Sequence, residues 1–170
     1  SPSRQMVSEA MILMGAAVAS IGKDNDIPLP YRTQLRSTRA NGVDWANYPK
    51  GPIQNSAIKF NLGRTILSPE PAPHSSLGLE AYVQITSPIR RFVDLIAHRQ
   101  LISFLMDGTV LSKESIRAKI TSVENLMREA AAITREDQKK YLIRWLNAND
   151  SKHSHILFLR WMKETENIAL

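Results

Sequence analysis

The chain has 170 residues, 43% of them hydrophobic, no cysteine, and a formal net charge of +6 from 22 Lys and Arg against 16 Asp and Glu. That length suits one domain with a real core and a fragment of a second, and the composition argues against disorder. Disulfides and thiolate-held metals are excluded, no apolar run is long enough to predict a bilayer span, and the basic excess favours a polyanionic partner.

The opening Ser1-Pro2-Ser3-Arg4 lacks the basic-then-apolar pattern of a secretory signal. A first residue other than Met is expected of a fragment, a processed product or an excised domain. A helix is predicted over 5–21, where Met6, Val7, Ala10, Met14, Val18 and Ile21 recur at three- and four-residue spacing. Ser3 is its candidate cap, Gly22 its candidate stop, and its methionines are expected to fill core. Asp24, Asp26, Pro28 and Pro30 make 23–31 a loop, with the two acids read as turn chemistry rather than a metal site.

Residues 32–50 are polar and irregular, with room for a short helix. Residues 53–67 fit either a strand or a helix around Ile58, Phe60 and Leu62. A proline-rich loop follows over 68–79 and ends in a turn at Gly78. Tyr82 to Thr86 is predicted extended, because the approach to Pro88 disfavours α geometry. A helix over 88–106 should bury Ile89, Phe92, Val93, Ile96, Leu101, Phe104 and Leu105, and Asp107-Gly108 should end it. A long helix is predicted from Ser112 to Leu146, with a packed spine of Ile116, Ile120, Val123, Met127, Ala130 and Ile133. His155 to Met162, a turn over 163–167 and Ile168 onward read as a β-hairpin, to which more strands are expected to add.

The chemistry concentrates in Gln84-Ile-Thr-Ser-Pro-Ile-Arg-Arg-Phe-Val-Asp94. Ser87 suits an N-cap and Pro88 the first helical position. Arg90 and Arg91 then fall in the first turn, the wrong end of a helix for cations. An anion there resolves the conflict. Thr86 and Ser87 hydroxyls, free backbone N–H groups and two guanidinium forks make a phosphate receptor. The bland alternative is a surface ion pair between Arg90 and Asp94, four residues apart; Asp94 and His98 have the same spacing. A second arginine at the same unfavourable end favours phosphate contact.

No phosphate-binding glycine loop, nucleophile elbow or zinc-protease motif is present. His74 lies in the loop upstream of the receptor and is a candidate for function, with tying down its loop as the bland reading. His98, His153 and His155 show no metal-ligand spacing. Phosphoryl transfer commonly needs clustered carboxylates for Mg²⁺ and a cation for developing charge. The aspartates here are scattered from Asp24 to Asp150, so only the cation is on offer.

The stretch from His74 to Arg99, with its Thr86-Ser-Pro-Ile-Arg-Arg91 core, resembles the C-terminal signature of the RNB family of exoribonucleases. Met6 to Ile12 is similar to the helix that precedes that signature, and Leu29-Pro-Tyr-Arg32 to a turn in its plastid and bacterial branch. The resemblance covers about residues 5–150. It implies an α+β fold: residues 1–150 as the helix-rich C-terminal half of the catalytic domain, and 151–170 as the first hairpin of an OB-fold barrel. It also implies a hydrolytic exoribonuclease that degrades single-stranded RNA from the 3′ end to nucleoside 5′-monophosphates. Arg90 is then the catalytic residue that contacts the scissile phosphate, and Thr86, Ser87, Arg91, His74 and Tyr82 bind RNA. Mg²⁺ is the implied cofactor, with ligands outside this chain, which alone is expected to be inactive. A monomer without membrane attachment, in the cytoplasm or plastid stroma, is expected. Ser8-Glu9 stands where many relatives carry two acids. The alternative is a non-catalytic basic RNA-binding module or remnant.

Overall fold

The first helix packs mostly through small side chains rather than large ones. In a computed structural model, which describes residues 1–35, 47–149, 160–162 and 167–169, α1 runs Pro2–Asp24. Its buried positions are Gly15, Val18, Ala19 and Gly22. A Cβ on Gly15 would collide with the Tyr82 ring and come within 2.6 Å of the Val83 carbonyl oxygen. One on Gly22 would collide with the Leu29 side chain and come within 2.6 Å of the Tyr31 hydroxyl. Gly22 is thus a packing position, not the predicted stop. The methionine stripe is not core either: Met6, Met11 and Met14 are exposed, because the glycine-bearing face is the one that allows close approach. By length and composition α1 could cross a bilayer, yet this face packs against the polypeptide.

The described elements continue as β1 (Tyr31–Thr33), α2 (Pro52–Asn61), β2 (Ile66–Ser68), α3 (Phe92–Met106), α4 (Lys113–Ala148), β3 (Arg160–Met162) and β4 (Asn167–Ala169). The chain is thus a helix-rich α+β structure. It divides into a unit of residues 1–36 and 63–128 and a unit of residues 37–62 and 129–170.

In the first unit β1 pairs antiparallel with β2, Tyr31 opposite Ser68, and Tyr31 also bridges Val83. The Tyr82 carbonyl accepts the Arg32 N–H at 2.8 Å, and the Gly15 carbonyl accepts the Val83 N–H at 3.3 Å. The 81–85 segment is therefore sandwiched between a strand and a helix. Val18, Ala19, Ile27, Leu29, Tyr31, Val83, Ile85 and Ala97 form the core around it, and Ile96, Ile116 and Ile120 form a smaller cluster. Gln100, buried, ties α3 to both neighbours. Its Nε2 donates to the Pro28 carbonyl at 2.8 Å, and its Oε1 accepts the Leu111 N–H at 2.9 Å. Gly108, at φ +72, ends α3 in the left-handed region, where predicted, and Gly78, at φ +66, makes the predicted turn.

Two predicted spines are only half right. α3 buries Val93 and Ile96, but Ile89, Phe92 and Leu105 are exposed. α4 buries Ile116 and Ile120, whereas Met127 and Ile133 are exposed. The buried positions of α4 lie in its first two turns, within the first unit; beyond Arg128 the helix belongs to the second. The strand-or-helix question over 53–67 is resolved as a helix followed by a strand, α2 in the second unit and β2 in the first. β3 and β4 pair antiparallel with Arg160 opposite Ala169; the rest of the predicted hairpin, residues 155–159 and 163–166, lies outside the described residues. Residues 36–46, with Asp44, and residues 150–159, with Asp150, His153 and His155, lie outside the described residues.

Candidate functional site

The segment from Thr86 to Asp94 is a turn followed by a helix, not a continuous helix from Pro88. Ser87 accepts the Arg90 and Arg91 N–H groups on its carbonyl at 3.3 and 3.0 Å. Arg91 is then extended (φ −126, ψ 110) and N-caps α3, which begins at Phe92. The two arginines accordingly lie before the helix rather than in its first turn. The reason is Asp94. As the third helical residue it places a carboxylate at the positive end of α3, where a negative charge is stabilised. Its Oδ2 reaches back to accept the Ser87 N–H at 2.8 Å.

The same oxygen takes the neighbouring cation. Arg91 approaches Asp94 Oδ2 with Nε at 2.9 Å and Nη2 at 2.7 Å. The Asp94 side chain is completely buried and that of Arg91 is 22% exposed. The ion pair is therefore i,i+3 through Arg91, and the two i,i+4 pairings considered from sequence are not formed. His98 instead donates from Nε2 to the Ile85 carbonyl at 2.9 Å. Arg91 Nη2 also lies 3.4 Å from the Thr86 hydroxyl.

Arg90 is left facing solvent. Its one side-chain bond among the described residues is from Nη2 to Ser87 Oγ at 3.4 Å, and no described carboxylate pairs with it. An exposed guanidinium with a single long neutral hydrogen bond keeps nearly all its donors for a ligand. Two adjacent arginines thus occupy opposite environments, one neutralised inside and one presented outside.

His74 and Tyr82 form a separate arrangement in the same unit. Their rings meet edge to face with centroids 5.6 Å apart. His74 is buried, bridges Gln34 and Leu79 through its backbone, and has Nδ1 3.3 Å from Ser76 Oγ. Burial, reinforced by the nearby Arg32 guanidinium, lowers its pKa and keeps the ring neutral. Arg32 itself donates to Gln84 Oε1 at 2.6 Å. His74 thus ties down its loop, while half-buried Tyr82 covers Gly15. Gln100 and the Asp94–Arg91 pair escaped the sequence reading. Only the Asp at the third residue after Arg91 could have signalled the pair.

Among the described residues no three His, Asp or Glu side chains come together as metal ligands. The described part of the chain therefore does not fit a Mg²⁺ site.

Comparison with known proteins gives the family. The chain is 32% identical, over its whole length, to an uncharacterized ribonuclease of Synechocystis, and covers 26% of it. It is 34% identical over 94% of its length to the chloroplastic/mitochondrial ribonuclease II of Arabidopsis thaliana, covering 20% of that protein. The chain thus spans about a quarter or less of these relatives. Among solved structures, an active-site mutant of the Dss1 exoribonuclease of Candida glabrata matches 85% of the chain at TM-score 0.73 and 26% identity, the match covering 20% of that protein. RNase R of Mycoplasma genitalium in complex with double-stranded RNA shares the fold over 99% of the chain, TM-score 0.75, at 19% identity and with 37% of its own chain covered. Residues 1–107 match the RNB domain model, so the turn, its two arginines and the helix behind them lie inside the matched region, and the chain belongs to the RNB domain family.

Proposed function

We propose that this chain is the arginine-bearing part of a hydrolytic exoribonuclease that shortens single-stranded RNA from its 3′ end and releases nucleoside 5′-monophosphates. One observation supports it above the others: Arg90 is exposed, with no carboxylate partner among the described residues, on a turn that buried groups hold in shape. Family membership and relatives named as ribonucleases support the reaction class.

In the reaction, the oxygen of a water molecule bonds to phosphorus and the O3′–P bond breaks. O3′ leaves with a proton, and the former linking phosphate departs on the released nucleotide. Negative charge grows on the non-bridging oxygens as water attacks. A planar two-pronged cation beside them stabilises that charge more than it stabilises the bound substrate. We assign this role to Arg90. The exposed Thr86, whose hydroxyl meets Arg91, and Ser87 are assigned to phosphate contact, and Tyr82 to RNA contact. Arg91 and His74 already have internal partners, so their part is to shape the site's walls. A metal would be held by residues outside the described ones.

Residues 1–150 are read as part of the catalytic domain, and the β3–β4 hairpin as the start of an OB-fold barrel. Of the cytoplasm and the plastid, the relative named for chloroplasts and mitochondria favours the plastid.

The test is product analysis. The full-length protein, given a 5′-labelled single-stranded oligoribonucleotide, should yield a ladder shortened one nucleotide at a time together with free 5′-monophosphates. Salt-sensitive binding without any shortening would favour the non-catalytic RNA-binding module instead.

A further inference from the structure

We propose that Asp94 is the positioning residue for Arg90, acting through Ser87 and Arg91; this rests on the assignment of Arg90 above. The links are continuous. Asp94 Oδ2 accepts the Ser87 N–H at 2.8 Å, and Ser87 Oγ accepts Arg90 Nη2 at 3.4 Å. The Ser87 carbonyl also accepts the Arg90 N–H at 3.3 Å. One buried carboxylate therefore fixes the residue that holds Arg90 by both main chain and side chain. It simultaneously draws the Arg91 guanidinium inward, at 2.7 Å, so the neighbouring cation cannot compete for the same phosphate.

The arrangement is costly for a merely structural device. A buried ion pair pays desolvation on both partners, and an apolar pair of similar volume is often at least as stable. Here all the described bonds of the carboxylate converge on Oδ2, while Oδ1 is buried with no hydrogen-bond partner among the described residues. What the pair delivers is a fixed direction. The Ser87–Arg91 turn has no helix of its own to hold it, since α3 starts only at Phe92. Below it, His98 fastens the Ile85 carbonyl at 2.9 Å, so the strand side of the turn is anchored independently of Asp94.

Asp94→Asn keeps the shape and weakens both links, because a neutral amide oxygen accepts the Ser87 N–H and the Arg91 guanidinium less strongly than the carboxylate does. The experiment is a double-mutant cycle in the full-length protein. Single-turnover shortening of a 5′-labelled oligoribonucleotide and its dissociation constant are measured for wild type, Arg90→Ala, Asp94→Asn and the double variant. Asp94→Asn should slow the chemical step by about 10- to 100-fold, the scale of a misplaced catalytic group. RNA affinity should change by less than about 3-fold, and the double variant should be no more than about 3-fold slower than Arg90→Ala alone. A wild-type rate for Asp94→Asn, or losses that multiply in the double variant, would overturn the positioning role while leaving Arg90 in place. An unchanged rate for Arg90→Ala would remove the Arg90 assignment and this proposal with it. Should Asp94→Asn lose cooperative thermal unfolding, Arg91→Gln, which releases the pair from its more exposed side, is read by the same criteria. Loss of the fold in both variants would mean a purely structural pair and would also overturn the proposal.

Discussion

Helix α1 and the turn before α3 carry opposite kinds of information. α1 has long apolar periodicity, yet its large side chains are mostly exposed and its contacts run through Gly15, Ala19 and Gly22. The turn is short and polar, yet it is the better determined of the two, because a single buried carboxylate closes it. Periodicity reports which side chains could be buried; it does not say which face a neighbour approaches. A charge that must be buried leaves its backbone few options, so its surroundings are specified locally.

The contrast can be broken most forcefully at the glycines. Gly22→Leu should cost about 3 kcal/mol by overpacking against Leu29 and the Tyr31 hydroxyl, read as a lower denaturant midpoint. A midpoint within error of wild type would mean that α1 does not dock through its small face. Val18→Ala, on the same face and 6% exposed, should cost roughly 2 kcal/mol. His74 gives a smaller, pH-dependent effect. Its folded pKa lies below the ordinary 6.5, so the unfolded chain binds the proton more readily. The stability tied to a neutral His74 is therefore present above pH 6.5 and is lost as pH falls towards the lowered folded value. His74→Gln should flatten that acid-side slope; an unchanged slope would show that another group sets it. Smallest of all, Leu13→Ala at a 71% exposed position should shift stability by less than about 0.5 kcal/mol in the 170-residue chain. A loss comparable to that of Val18→Ala would put the large-residue stripe back in the core.

Much of the layout was legible in advance. α1, α3 and α4 were each expected, to within a few residues at most ends, from apolar spacing and from the Asp107-Gly108 stop. The β1–β2 pair was not, because Tyr31–Thr33 and Ile66–Ser68 are too short to show alternation and are joined only by distant pairing. The candidate site was legible as composition but not as geometry. Two arginines, a serine and a threonine near a proline pointed to an anion; the structure leaves Arg90 exposed and turns Arg91 onto Asp94. Which arginine stays free was hidden, because spacing on an assumed helix from Pro88 pairs Arg90 with Asp94. Once the helix begins at Phe92, Arg91 sits at the cap with extended backbone and swings over the third helical residue. A shift of the helix start by one turn thus exchanges the roles of adjacent side chains.

Arg90 is proposed to stabilise charge that exists only as the phosphate reacts. Arg90→Lys in the full-length protein tests it directly, since lysine keeps the charge and loses the fork. Single-turnover shortening of a 5′-labelled oligoribonucleotide should fall by about 10²-fold or more, with RNA affinity changed by less than about 3-fold. A rate equal to wild type, or a loss confined to affinity, would contradict the account and leave Arg90 as one more basic residue on an RNA-binding surface.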